Sequence, residues 1–248
     1  MVFVDFHCHL QHPLFSKGIH RIVERMGKKN VVAINTGFNI EGNEKTFEQC
    51  ARYSKRLYPA IGLSPHDVLK TDVEKELEYV EKNAAKAIAV GEIGLDFHYF
   101  KQPEEQKKLE KAFAAQLEIA ERLGKPVVVH SRDAEEKTIE ILSSYEMPRV
   151  LHFFLLPKLL GKALDAGLYV SVPTLKSKDQ KKMFADVPLE KLFLETDSPY
   201  GTNTGQRNEP SNVIASYERL AEIRKTPLKE IALMLFGNFK TVTGKKAV

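Results

Sequence analysis

Short apolar runs rich in β-branched residues recur along the chain, separated by longer stretches of mixed polarity. In order they cover 2–6, 31–36, 57–62, 87–91, 126–129, 150–152, 168–172 and 192–195. Most are apolar at consecutive rather than alternate positions, the pattern of parallel strands covered on both faces. The stretches between them carry helix signals. Thr71 with Glu74 makes a capping box, Pro103 stands where a first helical turn tolerates it, and Gly124 follows Leu109, Phe113, Leu117 and Ala120 at helical spacing. Gly167 and Gly237 read as helix stops, two further helices are expected over 211–224 and 228–236, and the tail after Phe239 reads as loosely held. Eight strands alternating with helices in 248 residues predict an α/β fold, a (β/α)8 TIM barrel spanning 1–248 as one domain, with a doubly wound open sheet as the runner-up.

Hydrophobic residues make up 43% and charged residues 28% of the chain, which excludes long disorder and collagen-like sequence. Cys8 and Cys50 are too few for a secreted disulfide framework. Asp5, His7 and His9 break the first ten residues where a signal peptide would need an apolar core, so the cytoplasm is the expected compartment. No apolar run approaches the roughly 20 residues of a membrane span, and no obligate protein partner is evident. The net charge of +4 permits an anionic partner without demanding one. Lysine pairs such as Lys107-Lys108, Lys181-Lys182 and Lys245-Lys246 read as solvated faces rather than a nucleic-acid stripe.

The strand ends carry the chemistry. In Asp5-Phe6-His7-Cys8-His9, alternation puts His7 and His9 on one face and Cys8 on the other, toward the helices. Two imidazoles on one face either grip a divalent ion or are packed and hydrogen-bonded. Glu92 follows the fourth run, His130 ends the fifth, His152 the sixth, and Asp197 follows the eighth. Each alone has a bland reading as a helix cap. In a parallel barrel, however, these carboxyl ends converge on one rim, where barrel active sites are built.

On these residues the sequence resembles the TatD-type metal-dependent hydrolases, the deoxyribonuclease branch of the amidohydrolase-like metallo-barrels. The matching stretches are Asp5-Phe6-His7-Cys8-His9-Leu10, Gly62-Leu63-Ser64-Pro65-His66, Gly91-Glu92-Ile93-Gly94-Leu95-Asp96, His130-Ser131-Arg132-Asp133-Ala134, Glu195-Thr196-Asp197-Ser198-Pro199-Tyr200 and Asn208-Glu209-Pro210. The resemblance implies two divalent metal ions, one held by His7, His9 and Asp197, the other by His130 and His152, with Glu92 bridging. The ligand types suit zinc, manganese or iron, or magnesium with waters completing its shell. Two dications against two ligand carboxylates leave a positive site, which favours an anionic phosphate ester. The implied reaction is hydrolysis of DNA or another phosphodiester, trimmed from an end, by a metal-bridging hydroxide, with Glu92 and Asp197 catalytic and Asp197 receiving the water's proton. Two alternatives stand beside it: hydrolysis of a small ester, amide or lactone, and a metal-binding scaffold without turnover.

Four residues are candidates for the substrate. His66 resembles a family substrate-side histidine. Arg132 either pairs with a phosphate or makes a surface salt bridge to Asp133 or Glu136. Asn208 and Glu209 either contact substrate or shape their loop. His98 is a further candidate for the rim, whereas His12 and His20 read as ordinary loop or helix residues. Two departures bear on specificity. The family usually has His-Cys-Phe-Ser-Gly where this chain has His152-Phe153-Phe154-Leu155-Leu156, and another histidine where it has Ser64. At least one of the four apolar residues, with Phe154 foremost, is expected to form a wall on which a base stacks; otherwise they cover the next helix.

Overall fold

The structure, a computed structural model, describes residues 1–202, 205 and 207–245. Its strands are β1 (Phe3–Cys8), β2 (Val31–Thr36), β3 (Leu57–Ile61), β4 (Ala89–Asp96), β5 (Val127–Arg132), β6 (Arg149–Leu151), β7 (Tyr169–Pro173) and β8 (Leu192–Glu195). All pair in parallel with the next in chain order. The helices are α1 (Ile19–Lys28), α2 (Ile40–Arg52), α3 (Val73–Asn83), α4 (Pro103–Arg122), α5 (Glu135–Leu142), α6 (Leu160–Asp165), α7 (Lys178–Asp186), α8 (Val213–Arg224) and α9 (Leu228–Thr243).

The sheet closes into a (β/α)8 barrel because β1 is bonded to the segment that leaves β8. The Asp197 amide donates to the His7 carbonyl at 2.9 Å and the His9 amide to that of Ser198 at 2.7 Å. At the other end of this seam Tyr217 of α8 does the work of a ladder. Its hydroxyl accepts from the Val4 amide and donates to the Val4 carbonyl, both at 3.1 Å. Tyr217→Phe would leave both buried backbone groups unpaired, at a cost of about 2 kcal/mol. The melting temperature is expected to fall by about 4–8 °C in a thermal scan, and an unchanged value would deny the seam this role.

Two apolar layers hold the barrel. Inside, Val4, Phe6, Val32, Ile34 and Phe193 fill the barrel, with the Phe6 and Phe193 rings stacked at 3.9 Å. Outside, Cys8 packs in the layer between strands and helices, opposite to His7 and His9 as expected, although Val4 and Phe6, four and two positions earlier, point inward; the strand register shifts between Asp5 and Cys8. Among the described residues no helix is long and apolar enough to cross a membrane.

Three local expectations fail for physical reasons. The Thr71 hydroxyl donates to the Asp67 carbonyl at 3.1 Å, so Asp72 caps α3 instead, accepting from the Lys75 amide. Gly237 does not stop its helix: α9 continues to Thr243 and ends at Gly244, which has φ +65°, because Phe239 and Val242 are buried. The chain just after Phe239 is therefore anchored; Lys246 and the two residues after it lie outside the described residues. The strands also outrun their apolar cores. β1 reaches Cys8, β4 Asp96 and β5 Arg132, because the polar residues that end each run continue in extended, paired backbone.

Candidate metal centre

Each candidate ligand stands where a strand meets the rim. The register of β1 on β2 shifts between Asp5 and Cys8, and that of β4 on β5 between Val90 and Ile93. Such irregularities re-aim side chains, and the two bracket His7 and Glu92. Glu92 therefore lies within β4 rather than after it.

Around Glu92 the six candidate ligands come together. Its Oε2 lies 3.9 Å from His7 Nε2 and 3.4 Å from His9 Nε2, while its Oε1 lies 3.0 Å from His130 Nδ1 and 3.3 Å from His152 Nε2. One carboxylate thus presents a different oxygen to each histidine pair. Asp197 Oδ1 sits 3.6 Å from Nε2 of both His7 and His9, whose nitrogens are only 2.9 Å apart. The rings of His7 and His152 stack at 4.0 Å.

The donor set fits divalent cations. His7 Nδ1 and both ring nitrogens of His152 are buried without a hydrogen bond, and a buried polar atom left so is costly unless something else satisfies it. Two compact groups, His7 with His9 and Asp197, and His7 with Glu92 and His152, each have ligand atoms within 4.8 Å of one another. His130 falls instead into a third such group, with His66 and Asp96.

Charge in this cluster is tightly coupled. Burial pushes the Glu92 carboxyl up, but its close contacts with His130, His152 and His9 override this and hold it well below the usual range. Burial lowers His152, yet Glu195 and Glu92 raise it well above an ordinary histidine. Burial and the neighbouring His152 and His9 depress His7. Asp197 is pushed up to about 7, chiefly by burial. Protonated imidazoles thus supply, in the cation-free site, the positive charge that the carboxylates require; bound cations would displace those protons.

Two acids near the ligands escaped the sequence reading. Asp96 is buried, accepting at Oδ2 from His130 Nε2 at 3.0 Å and at Oδ1 from the Tyr99 amide at 2.9 Å. Glu195 is buried too, its Oε1 accepting from the Phe153 amide at 2.6 Å and lying 3.4 Å from His152 Nδ1. Both stand in the matched stretches, each at the end of a strand, and that position was the available signal. They also revise the charge balance read from the sequence: four carboxylates, not two, would offset the two dications expected there, so a net positive charge is no longer implied by the ligands alone.

A cavity of ≈ 1020 Å³ opens above the site. Lys70, His66 and Arg132 line it together with Phe153, Leu155 and Leu156 and the exposed Tyr99 and Tyr200. His66 is 3.5 Å from Asp96 Oδ2, its side chain 38% exposed. The Arg132 guanidinium lies 5.1 Å over the Tyr99 ring, and Asp133, one of the acids expected to hold it, pairs with His98 at 2.9 Å. All four residues of the apolar quartet border the cavity, Phe154 also packing into the core at 3% exposure while Phe153, Leu155 and Leu156 are less buried. Phe153 takes φ +51°, a left-handed conformation that costs a bulky residue about 1–2 kcal/mol.

Asn208 and Glu209 do not line this cavity. The buried Asn208 amide donates to the Thr196 carbonyl at 2.9 Å and to Thr174 Oγ1 at 3.0 Å. Glu209 is clamped by Arg25 of α1, with Nε to Oε1 at 2.9 Å and Nη2 to Oε2 at 2.5 Å. Their expected substrate contacts give way to a role in fixing the segment that follows β8. Ser64 is buried, its amide bonded to the Phe38 carbonyl, and His12 caps a short turn, as an ordinary loop residue would.

Comparison with known proteins gives the family. The sequence model of the family described as TatD related DNase matches residues 4–244. The chain is 31% identical to deoxyribonuclease TATDN3 of Homo sapiens, over 98% of this chain and 97% of that protein. It is 31% identical to the 3'-5' ssDNA/RNA exonuclease TatD of Salmonella typhimurium, over 84% of this chain and 85% of that one. Among solved structures, the TatD homolog YjjV of Escherichia coli K12 superposes with a TM-score of 0.88 at 29% identity, covering 98% of each chain.

Proposed function

The chain belongs to the TatD-related DNase family, and on that footing we propose a divalent-cation-dependent hydrolase that removes nucleotides from the end of single-stranded DNA. The observation that carries the reading is Glu92, with one carboxylate oxygen toward His7 and His9 and the other toward His130 and His152. In this reading His7, His9 and Asp197 hold one cation, His130 and His152 the second, and Glu92 both. Bound there, divalent cations supply Lewis-acid stabilisation of the phosphoryl group and make water acidic at neutral pH.

The chain's own side chains do the rest. Asp197, whose carboxylate faces His7 and His9, takes the proton of the attacking water. Arg132 and Lys70 bind phosphate oxygens, Arg132 with its plane steadied on Tyr99. Phe153 and Leu156 receive an unpaired base, which offers a free face that a duplex hides. This cationic and apolar pairing suits a nucleotide better than a small neutral ester or amide.

Phe153→Ala tests the substrate. Stacking worth about 1–3 kcal/mol per base should be lost, raising KM for a single-stranded oligonucleotide about tenfold. Hydrolysis of a small aryl phosphate diester should stay within about twofold of wild type, because it does not use the wall. Equal losses on both substrates, or turnover of carboxylic esters without action on any oligonucleotide, would overturn the reading.

A further inference from the structure

His130 must decide which of its two nitrogens faces Glu92 with a lone pair, and nothing in the ring itself makes that choice. Nδ1 lies 3.0 Å from Glu92 Oε1, and Nε2 lies 3.0 Å from Asp96 Oδ2. Asp96 is wholly buried and its other oxygen is already committed to the Tyr99 amide, a donor that cannot reverse. Neither carboxylate has a proton to give, but Glu92 has other donors within reach, His152 Nε2 at 3.3 Å from the same oxygen and His9 Nε2 at 3.4 Å from the other. Asp96 Oδ2 has only His66 at 3.5 Å besides this ring, which assigns the ring's one proton to Nε2. We propose that Asp96 is a positioning residue for the hydrolytic site, holding His130 with its proton on Nε2 and its Nδ1 lone pair turned to Glu92.

The inference rests on the metal-dependent reading above and adds a residue to it. A histidine that binds a cation commonly donates its second N–H to a carboxylate, which fixes the ring and raises its basicity. Asp96, His66 and His130 also converge closely enough to suggest a cation among themselves. That arrangement would take the His130 Nε2 lone pair, leaving Nδ1 with its proton toward Glu92 and removing His130 from the Glu92 site. The shorter contact of Asp96 with His130, 3.0 Å against 3.5 Å to His66, fits a hydrogen bond to one ring rather than a shared ion.

Asp96→Asn is a sharp probe because the amide has no freedom to adapt. The Tyr99 amide requires the oxygen on its side, which puts the new NH2 group against His130 Nε2 and drives the ring proton to Nδ1. The tautomer can be read directly from the 15N resonances of His130, in the cation-free protein at a pH where the ring is neutral. The proton is expected on Nε2 in wild type and on Nδ1 in Asp96→Asn. Manganese titrated by calorimetry should bind the variant about 10–100-fold more weakly than wild type, with an unchanged stoichiometry.

An Nδ1 proton in wild type, or the same tautomer and the same manganese affinity in both proteins, would overturn the proposal. So would three manganese ions in wild type and two in the variant, since Asp96 would then be a ligand itself. Failure of wild type to bind manganese at all would sink the metal-dependent reading instead, and the 15N measurement would still judge Asp96. The wild-type spectrum alone carries that judgement should Asp96→Asn not fold.

Discussion

Replacing Glu92 by glutamine is expected to lower bound cation and turnover together, by about 10³-fold in kcat/KM, more than the change of a supporting residue brings. The substitution keeps the shape of the side chain and removes the one charge that both histidine pairs share. Two dications held side by side repel with four times the energy of unit charges at the same separation, and Glu92 is placed to offset that repulsion. The amide would also set an NH2 group against a histidine nitrogen that should present a lone pair. Metal analysis of the purified variant, with thermal unfolding as a control for folding, reads the result. Full metal content with wild-type turnover would remove Glu92 from the centre.

Asp197→Asn should separate the two duties assigned to Asp197. Its backbone has φ +52°, a conformation asparagine tolerates well, so the amide of residue 197 should keep its 2.9 Å bond to the His7 carbonyl. The side-chain oxygen remains near His7 and His9, and part of the cation binding should survive. What disappears is the basic carboxylate, and turnover should fall by about 10²-fold or more. The sign of the pH effect follows. Wild-type activity should decline as acid protonates Asp197, whereas the variant, with nothing to protonate there, should lose that limb of its profile. A cation at the site would draw the Asp197 pKa below the value of about 7 that burial chiefly sets in its absence. A profile of unchanged shape and height would exclude Asp197 as the proton acceptor.

Much of the candidate site is legible in the sequence because barrel topology converts strand ends into neighbours. His7, His9, Glu92, His130, His152 and Asp197 are spread over 191 positions, yet each follows or ends an apolar run, and parallel strands bring those ends to one rim. The substrate side is less legible. Arg132 and His66 do line the cavity, but Asn208 and Glu209 have their polar groups taken by Thr196, Thr174 and Arg25. Their loop chemistry looks the same in sequence whether it faces a ligand or the protein.

The eight-strand, parallel architecture and the residue types on its rim follow from the order of amino acids alone. Those are local patterns: runs of consecutive apolar residues need cover on both faces, and a polar ligand type at the end of a run needs no distant partner to be noticed. Which atoms meet is settled by the folded chain. Folding gave Asp96 to His130 and brought Glu195 beside His152 and the Phe153 amide, and it packed Phe154 against the core while leaving Phe153 more exposed to the cavity. It also carried α9 through Gly237 and moved the cap of α3 from Thr71 to Asp72. In each case the local sequence admits two outcomes, and the choice falls to a burial or hydrogen bond that tertiary packing supplies. A carboxylate at a strand end carries no mark in sequence of whether it will hold a cation or hold the histidine that does.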